Sequence, residues 1–151
     1  VEGIKLIERF TTSSFEVPNR QFQLWSFKQT HCRLLLQSNP SSDLGYETRI
    51  EVLFPGVDFV SVPSNFTGLH VRRADRRTSS AALETAQLDE QHDGQVFLLS
   101  PGKDWFVISG PPSLAETRLR YNDPSVFTPQ GLELEESVVY FDLADKLTGD
   151  G

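Results

Sequence analysis

The chain has 151 residues, 38% hydrophobic and 23% charged, with 21 acidic against 14 basic side chains and a net charge of -7. A chain of that size buries about two-thirds of its unfolded surface, enough for one core without disulfide or metal staples. No stretch approaches the ~18 uninterrupted apolar residues of a membrane helix, and the single cysteine, Cys32, excludes an internal disulfide framework. The expectation is one β-rich domain over residues 1–151, in a reducing, cytoplasmic setting.

Residues 1–10 lack the basic start and apolar run of a signal peptide. Methionine is absent throughout, so the sequence is expected to begin after a removed initiator or a cut in a longer chain, which leaves room for a lost leader. Residues 21–28 alternate through Phe22 and Leu24 and then become apolar on both faces at Trp25 and Phe27. Residues 31–37 carry the solid run Leu34, Leu35, Leu36. Both read as strands covered on two sides. In 46–54, Ile50, Val52 and Phe54 share one face with Tyr46 and Thr48, while Glu47, Arg49 and Glu51 alternate outward. Pro55-Gly56 then predicts a turn and a hairpin into 57–62.

Arg72, Arg73, Arg76 and Arg77 flank Asp75 and give a local +3, read as a solvated loop with anion-binding character. They are too few for a nucleic-acid footprint. Residues 80–91 space Ala81, Ala82, Leu83, Ala86 and Leu88 as a helix, with Ser79 or Ser80 as N-cap and Asp93-Gly94 as the stop. A second hairpin joins 96–99 to 105–108 across Ser100-Pro101-Gly102-Lys103-Asp104. Thr117, Leu119 and Tyr121 alternate with Arg118 and Arg120 as a short strand, and 138–147 reads as a strand passing into a helical turn. The fold class expected is mainly β: an antiparallel sandwich or a curved barrel-like sheet, with one or two short helices.

The sequence contains no phosphate-binding glycine loop, no GxSxG elbow, no HExxH and no CxxC pair. His31, His70 and His92 are far apart and lack partners at metal-ligand spacing, so neither a metal nor a cofactor is expected. Cys32 is expected to be a buried, inert thiol beside Leu34–Leu36. Glu133 and Glu135 would share a strand face, and Asp142 and Asp145 a helix face. Carboxylates so paired can divide acid and base roles, but solvated positions fit them better. Asn65-Phe66-Thr67 matches a glycosylation acceptor, a short and common pattern.

The runs 34–38 and 50–57, Val62-Pro63, 105–110 and Asp123-Pro124-Ser125 resemble small uncharacterised bacterial β proteins over about half the chain. The resemblance implies a compact β domain and transfers no activity.

Two surfaces stand out. From residue 132 onward six acids (Glu133, Glu135, Glu136, Asp142, Asp145, Asp150) face one base, Lys146, so this segment holds -5 of the total -7. In 110–129, Tyr121 and Phe127 flank the turn Asn122-Asp123-Pro124-Ser125 and would serve as aromatic anchors. The leading expectation is a protein-binding module whose acidic face, with Tyr121 and Phe127, meets a basic protein partner, as a bacterial immunity or antitoxin-like protein would. The alternatives are a small-ligand-binding or hydrolytic protein with a pocket in the β scaffold, and a structural subunit paired through strand edges. No nucleic acid or membrane partner is expected.

Overall fold

The computed structural model describes residues 5–28, 32–89 and 94–144. They form a mostly β structure of ten strands and two short helices. In chain order the elements are β1 (Leu6–Thr12), β2 (Ser14–Lys28), β3 (Arg33–Ser38), β4 (Arg49–Phe54), β5 (Phe59–Ser61), β6 (Asn65–Arg73), α1 (Arg76–Thr85), β7 (Gln95–Leu98), β8 (Phe106–Ser109), β9 (Ser113–Thr117), α2 (Pro129–Leu134) and β10 (Ser137–Leu143). All ten strands join one open sheet in the order β1-β10-β9-β4-β3-β2-β6-β7-β8-β5. It is mixed rather than antiparallel throughout, because β1 runs parallel to β10, with Leu6 opposite Ser137 and Thr12 opposite Leu143.

Connectivity forces this sheet to bend. Only Ser13 separates β1 from β2, yet the two strands lie five places apart in the order, which is about 24 Å in a flat sheet. The end of β1 meets the start of β2 because the sheet curls back on itself. Arg73 at the end of β6 closes the same seam by donating to the Ala144 carbonyl just beyond β10. The long β2 accommodates the bend by serving both halves, pairing with β6 along its first part and with β3 along its last. Its register with β6 breaks between Val17 and Gln21, opposite Gly68. Gly68 has φ +85°, and a Cβ there would lie 2.8 Å from the Pro18 carbonyl oxygen, so a side chain is excluded by conformation and by space.

The concave side of the curl holds the main core. Phe22, Leu34, Leu36, Val52, Phe54, Val71, Phe97, Leu99 and Val107 are all fully buried there. On the convex side, α1 covers β7 and β8 through Ala82 and Leu83 against Val96, Phe106 and Ile108. A third cluster sits under the segment 118–135, where Leu119, Val126, Phe127 and Leu132 pack on Ala115, Val138 and Tyr140.

Several local expectations change. The turn at Pro55-Gly56 does not make a hairpin: β5 pairs with β8, and Val57 instead donates to the Cys32 carbonyl. Helix α1 begins at Arg76 rather than in the serines, because the Asp75 carboxylate accepts from the Thr78 N–H at 2.8 Å and caps it there. Its end comes at Ala86, where Gln87 takes φ +59°. The strand expected at 117–121 lies earlier, as β9, and 138–143 is strand throughout. Trp25 and Phe27 are 39% and 48% exposed, so only β3 is covered on both faces as expected. The hairpin β7–β8 forms where the turn residues place it. Cys32 is exposed, held at φ +48° at the entry to β3 rather than buried beside the leucines.

Gly68→Ala should lower stability by about 2 kcal/mol in urea unfolding, with the slope of the transition unchanged. The Asp75 carboxyl is held below the ordinary carboxylate range, first by the Thr78 backbone N–H, then by the Thr78 hydroxyl. Its stabilising effect is therefore full above the ordinary carboxylate pKa and is lost as pH falls through the lowered folded value. Amide exchange at Thr78 should accelerate over that acidic window, relative to neighbouring amides, and Asp75→Asn should remove the dependence.

Candidate functional site

Strand alternation places Arg49 and Glu51 on the convex face of β4, beside Gln37 of β3. The expectation of solvated charges fails here, since both Arg49 and Glu51 have no exposed surface. The segment 118–128 crosses over them and completes their hydrogen bonding. Arg49 donates from Nε to Asn39 Oδ1 at 3.0 Å, from Nη1 to the Pro124 carbonyl at 3.2 Å, and from Nη2 to the Arg120 carbonyl. Asn39 Nδ2 donates to Gln37 Oε1 at 2.8 Å, and Gln37 Nε2 donates to Glu51 Oε1 at 2.9 Å. The second Glu51 oxygen accepts from the Val126 N–H at 2.9 Å. Burial lowers the Arg49 pKa from its ordinary value, and the Glu51 and Asp123 carboxylates oppose that shift.

The loop is fixed from its other side as well. The Asp123 carboxylate accepts from the Arg120 N–H at 2.7 Å, closing the turn expected around Asp123-Pro124. Thr128 caps α2 by accepting from the Gly131 N–H at 3.1 Å. Gly131 is required because a Cβ there would overlap the Ser125 carbonyl oxygen, at 1.9 Å. Glu135, which follows α2, is buried and accepts from the Arg118 N–H at 3.1 Å.

This fixed loop ends at an aromatic rim. Tyr121, 59% exposed, meets Trp25 of β2 edge to face with ring centroids 5.5 Å apart. On one side of the rim lies an open groove of about 570 Å³ over the convex face of β6, β2 and β3. The register lays Asn65, Gln23 and Gln37 side by side across those three strands, with Thr67 beside Gln21 in the next row. Tyr46 forms part of the wall. The Arg20 guanidinium stacks over its ring at 4.2 Å and is itself tied to Ser38 and Thr48. On the other side is a smaller cleft of about 320 Å³, floored by Leu35 and Leu53 and roofed by Phe127, with Lys28 and Arg33 at its mouth. Phe127 thus belongs to the roof and to the apolar cluster on Tyr140, while Tyr121 is exposed.

The acidic residues are not all surface charges. Glu135 is used internally, and Glu133 lies on α2 rather than on a strand with it. Asp142, on β10 rather than on a helix, pairs with Arg9 at 2.9 Å and accepts from the Ser113 hydroxyl at 2.6 Å. Glu133 and Glu136 are exposed, and Asp145 lies outside the described residues. The arginine group is likewise divided. Arg72 and Arg73 are part of β6, where Arg73 stacks 5.2 Å from the Phe97 ring, while Arg76 and Arg77 are exposed on the first turn of α1. His70 is half-buried on β6, and His31 and His92 are outside the described residues. Among the described residues no group of three His, Cys, Asp or Glu side chains is arranged to hold a metal ion. No helix among them is long and apolar enough to cross a membrane. Along the open edge β1, Leu6, Ile7 and Phe10 are exposed.

Comparison with protein-family models, curated proteins and solved structures returned no match. The signal that could have located the groove in the sequence is the alternation of amides, Gln21 and Gln23 on β2 and Gln37 and Asn39 around the end of β3. Its meaning depended on the pairing of three strands.

If the loop is held by the buried network, Arg49→Ala should cost about 3–5 kcal/mol in urea unfolding, because buried acceptors on Asn39, Arg120 and Pro124 lose their donor. The double variant Arg49→Leu, Glu51→Leu should cost less than the sum of the two single changes. In both proteins the Trp25 fluorescence should shift toward that of a solvated indole as Tyr121 leaves it.

Proposed function

We propose that this protein is a small recognition module that binds its ligand on the convex face around the Trp25–Tyr121 rim, with the amide-lined groove as the principal site. The observation that carries this reading is the fixed loop over Arg49 and Glu51. A buried hydrogen-bonded network holds an exposed aromatic ring at the mouth of a groove of ligand size. Binding to a surface prepared in this way avoids the ordering cost that a mobile loop would add. The reading develops the small-ligand alternative from the sequence. The segment 39–46 fits it too, since it rises beside β3 and β2 as the wall of the groove.

A basic protein partner drawn to the C-terminal charge has less to hold in this arrangement. Of the acids proposed for that role, Glu135 and Asp142 already have internal partners, leaving Glu133 and Glu136 exposed among the described residues.

The test is a protein-observed NMR screen with a diverse library of small neutral and charged polar fragments. Shifts should concentrate on the side-chain amides of Gln21, Gln23 and Asn65 and on the Trp25 indole N–H, and Glu133→Gln with Glu136→Gln should leave them unchanged. Fragment binding that avoids the groove, or that clusters on the β1 edge, would overturn the proposal.

A further inference from the structure

The groove's chemistry narrows the ligand, on the reading that this face is the recognition surface. Acidic and basic side chains make up 23% of the chain, yet none of the thirteen described residues lining the groove is charged. The lining itself offers an anionic or cationic ligand no counter-charge for its desolvation, and the guanidinium of Arg20 against Tyr46 is engaged with Ser38 and Thr48. What the lining offers is amides and hydroxyls. Each amide carries two donors and an acceptor, and a hydroxyl both donates and accepts, so the surface matches a neutral ligand whose own groups do both.

Availability follows the same pattern. Gln37 and Asn39 are occupied with each other and with Glu51 and Arg49. They fix the floor. Gln21 and Gln23 are exposed, two residues apart on β2, and make no side-chain hydrogen bond with any described residue. Asn65 stands beside Gln23 and Thr67 beside Gln21, one strand spacing away, about 4.8 Å. The result is a two-by-two array of neutral polar groups about the width of a sugar ring. Tyr121 adds an exposed aromatic surface at the rim, against which the C–H face of such a ring can pack.

We propose that the groove binds a neutral saccharide chain, with Gln21, Gln23, Asn65 and Thr67 hydrogen-bonding its hydroxyls and Tyr121 stacking on one sugar ring. A peptide adding to a sheet uses free backbone at an edge, whereas the groove offers side-chain amides and hydroxyls on the sheet face. Strand β6 pairs with β2 at Asn65 and Thr67 and with β7 only at Arg72 and Arg73, so an added peptide strand is the competing occupant that the titration separates.

The experiment titrates the labelled protein by NMR with neutral oligosaccharides of glucose, xylose, mannose and N-acetylglucosamine, alongside a heparin oligosaccharide and an uncharged Ser/Gly peptide. At least one neutral oligosaccharide should shift the Gln21, Gln23 and Asn65 side-chain amides. Tyr121→Ala and Gln23→Ala should each weaken that binding about tenfold with the urea midpoint unchanged. Absence of any neutral saccharide response in the groove overturns the inference, as does tighter binding there of heparin or peptide. If small fragments still cluster in the groove while saccharides do not, the saccharide assignment falls and the recognition face stands. If neither binds there, both fall.

Discussion

Burial of Arg49 and Glu51 on the convex face of β4 is the constraint on which the rest of this face depends. Two ionisable side chains without solvent contact must have their hydrogen bonds satisfied within the protein. The nearest neighbours, Gln37 and Asn39, satisfy part of that need. The remainder comes from backbone groups of Arg120, Pro124 and Val126, which can be supplied only if 118–128 lies across the sheet in one conformation. A polar network in this position acts as a clamp. Apolar packing of Leu119 and Val126 on Ala115 and Val138 adds adhesion with little directional preference, and the charged groups set the register of the loop.

The clamp divides the convex surface into regions of different chemistry. Over β9 and β10 the cover is apolar, over β4 it is polar and buried, and beyond Tyr121 the sheet is bare. The groove occupies this bare part, and its floor continues the row of cross-strand neighbours Asn65, Gln23, Gln37 and Glu51. One end of the row is therefore rigid through Glu51 while the other is open to solvent. Curvature contributes equally, since β2 serves both halves of the bent sheet and carries β6 and β3 on its two sides with the same convex face exposed.

Much of the core was legible as alternation. Ile50, Val52 and Phe54 face inward, Leu34 to Leu36 are buried on both faces, and β7 and β8 form their hairpin. The turn at Asp123-Pro124 was visible as well. The same alternation misassigned Arg49 and Glu51, because a charge next to an apolar position reads as solvent-facing unless a distant segment returns to cover it. The site was less legible. Tyr121 stands out beside its turn, but Gln21, Gln23 and Asn65 carry no local pattern that distinguishes a groove-lining amide from an ordinary surface one. The C-terminal acids looked like one surface because they are close in sequence, and the fold sends Glu135 inward and pairs Asp142 with Arg9.

By itself the sequence determined a mostly β protein, the turns that punctuate it and the apolar residues of its main core. Those properties arise from short-range sterics and from side-chain period, both written within a few residues. Tertiary structure alone decided that β1 lies parallel to β10, that β5 joins β8, and that the segment 118–128 closes over two buried charges. Each depends on residues tens of positions apart satisfying one another's hydrogen bonds, a long-range requirement that no local pattern encodes.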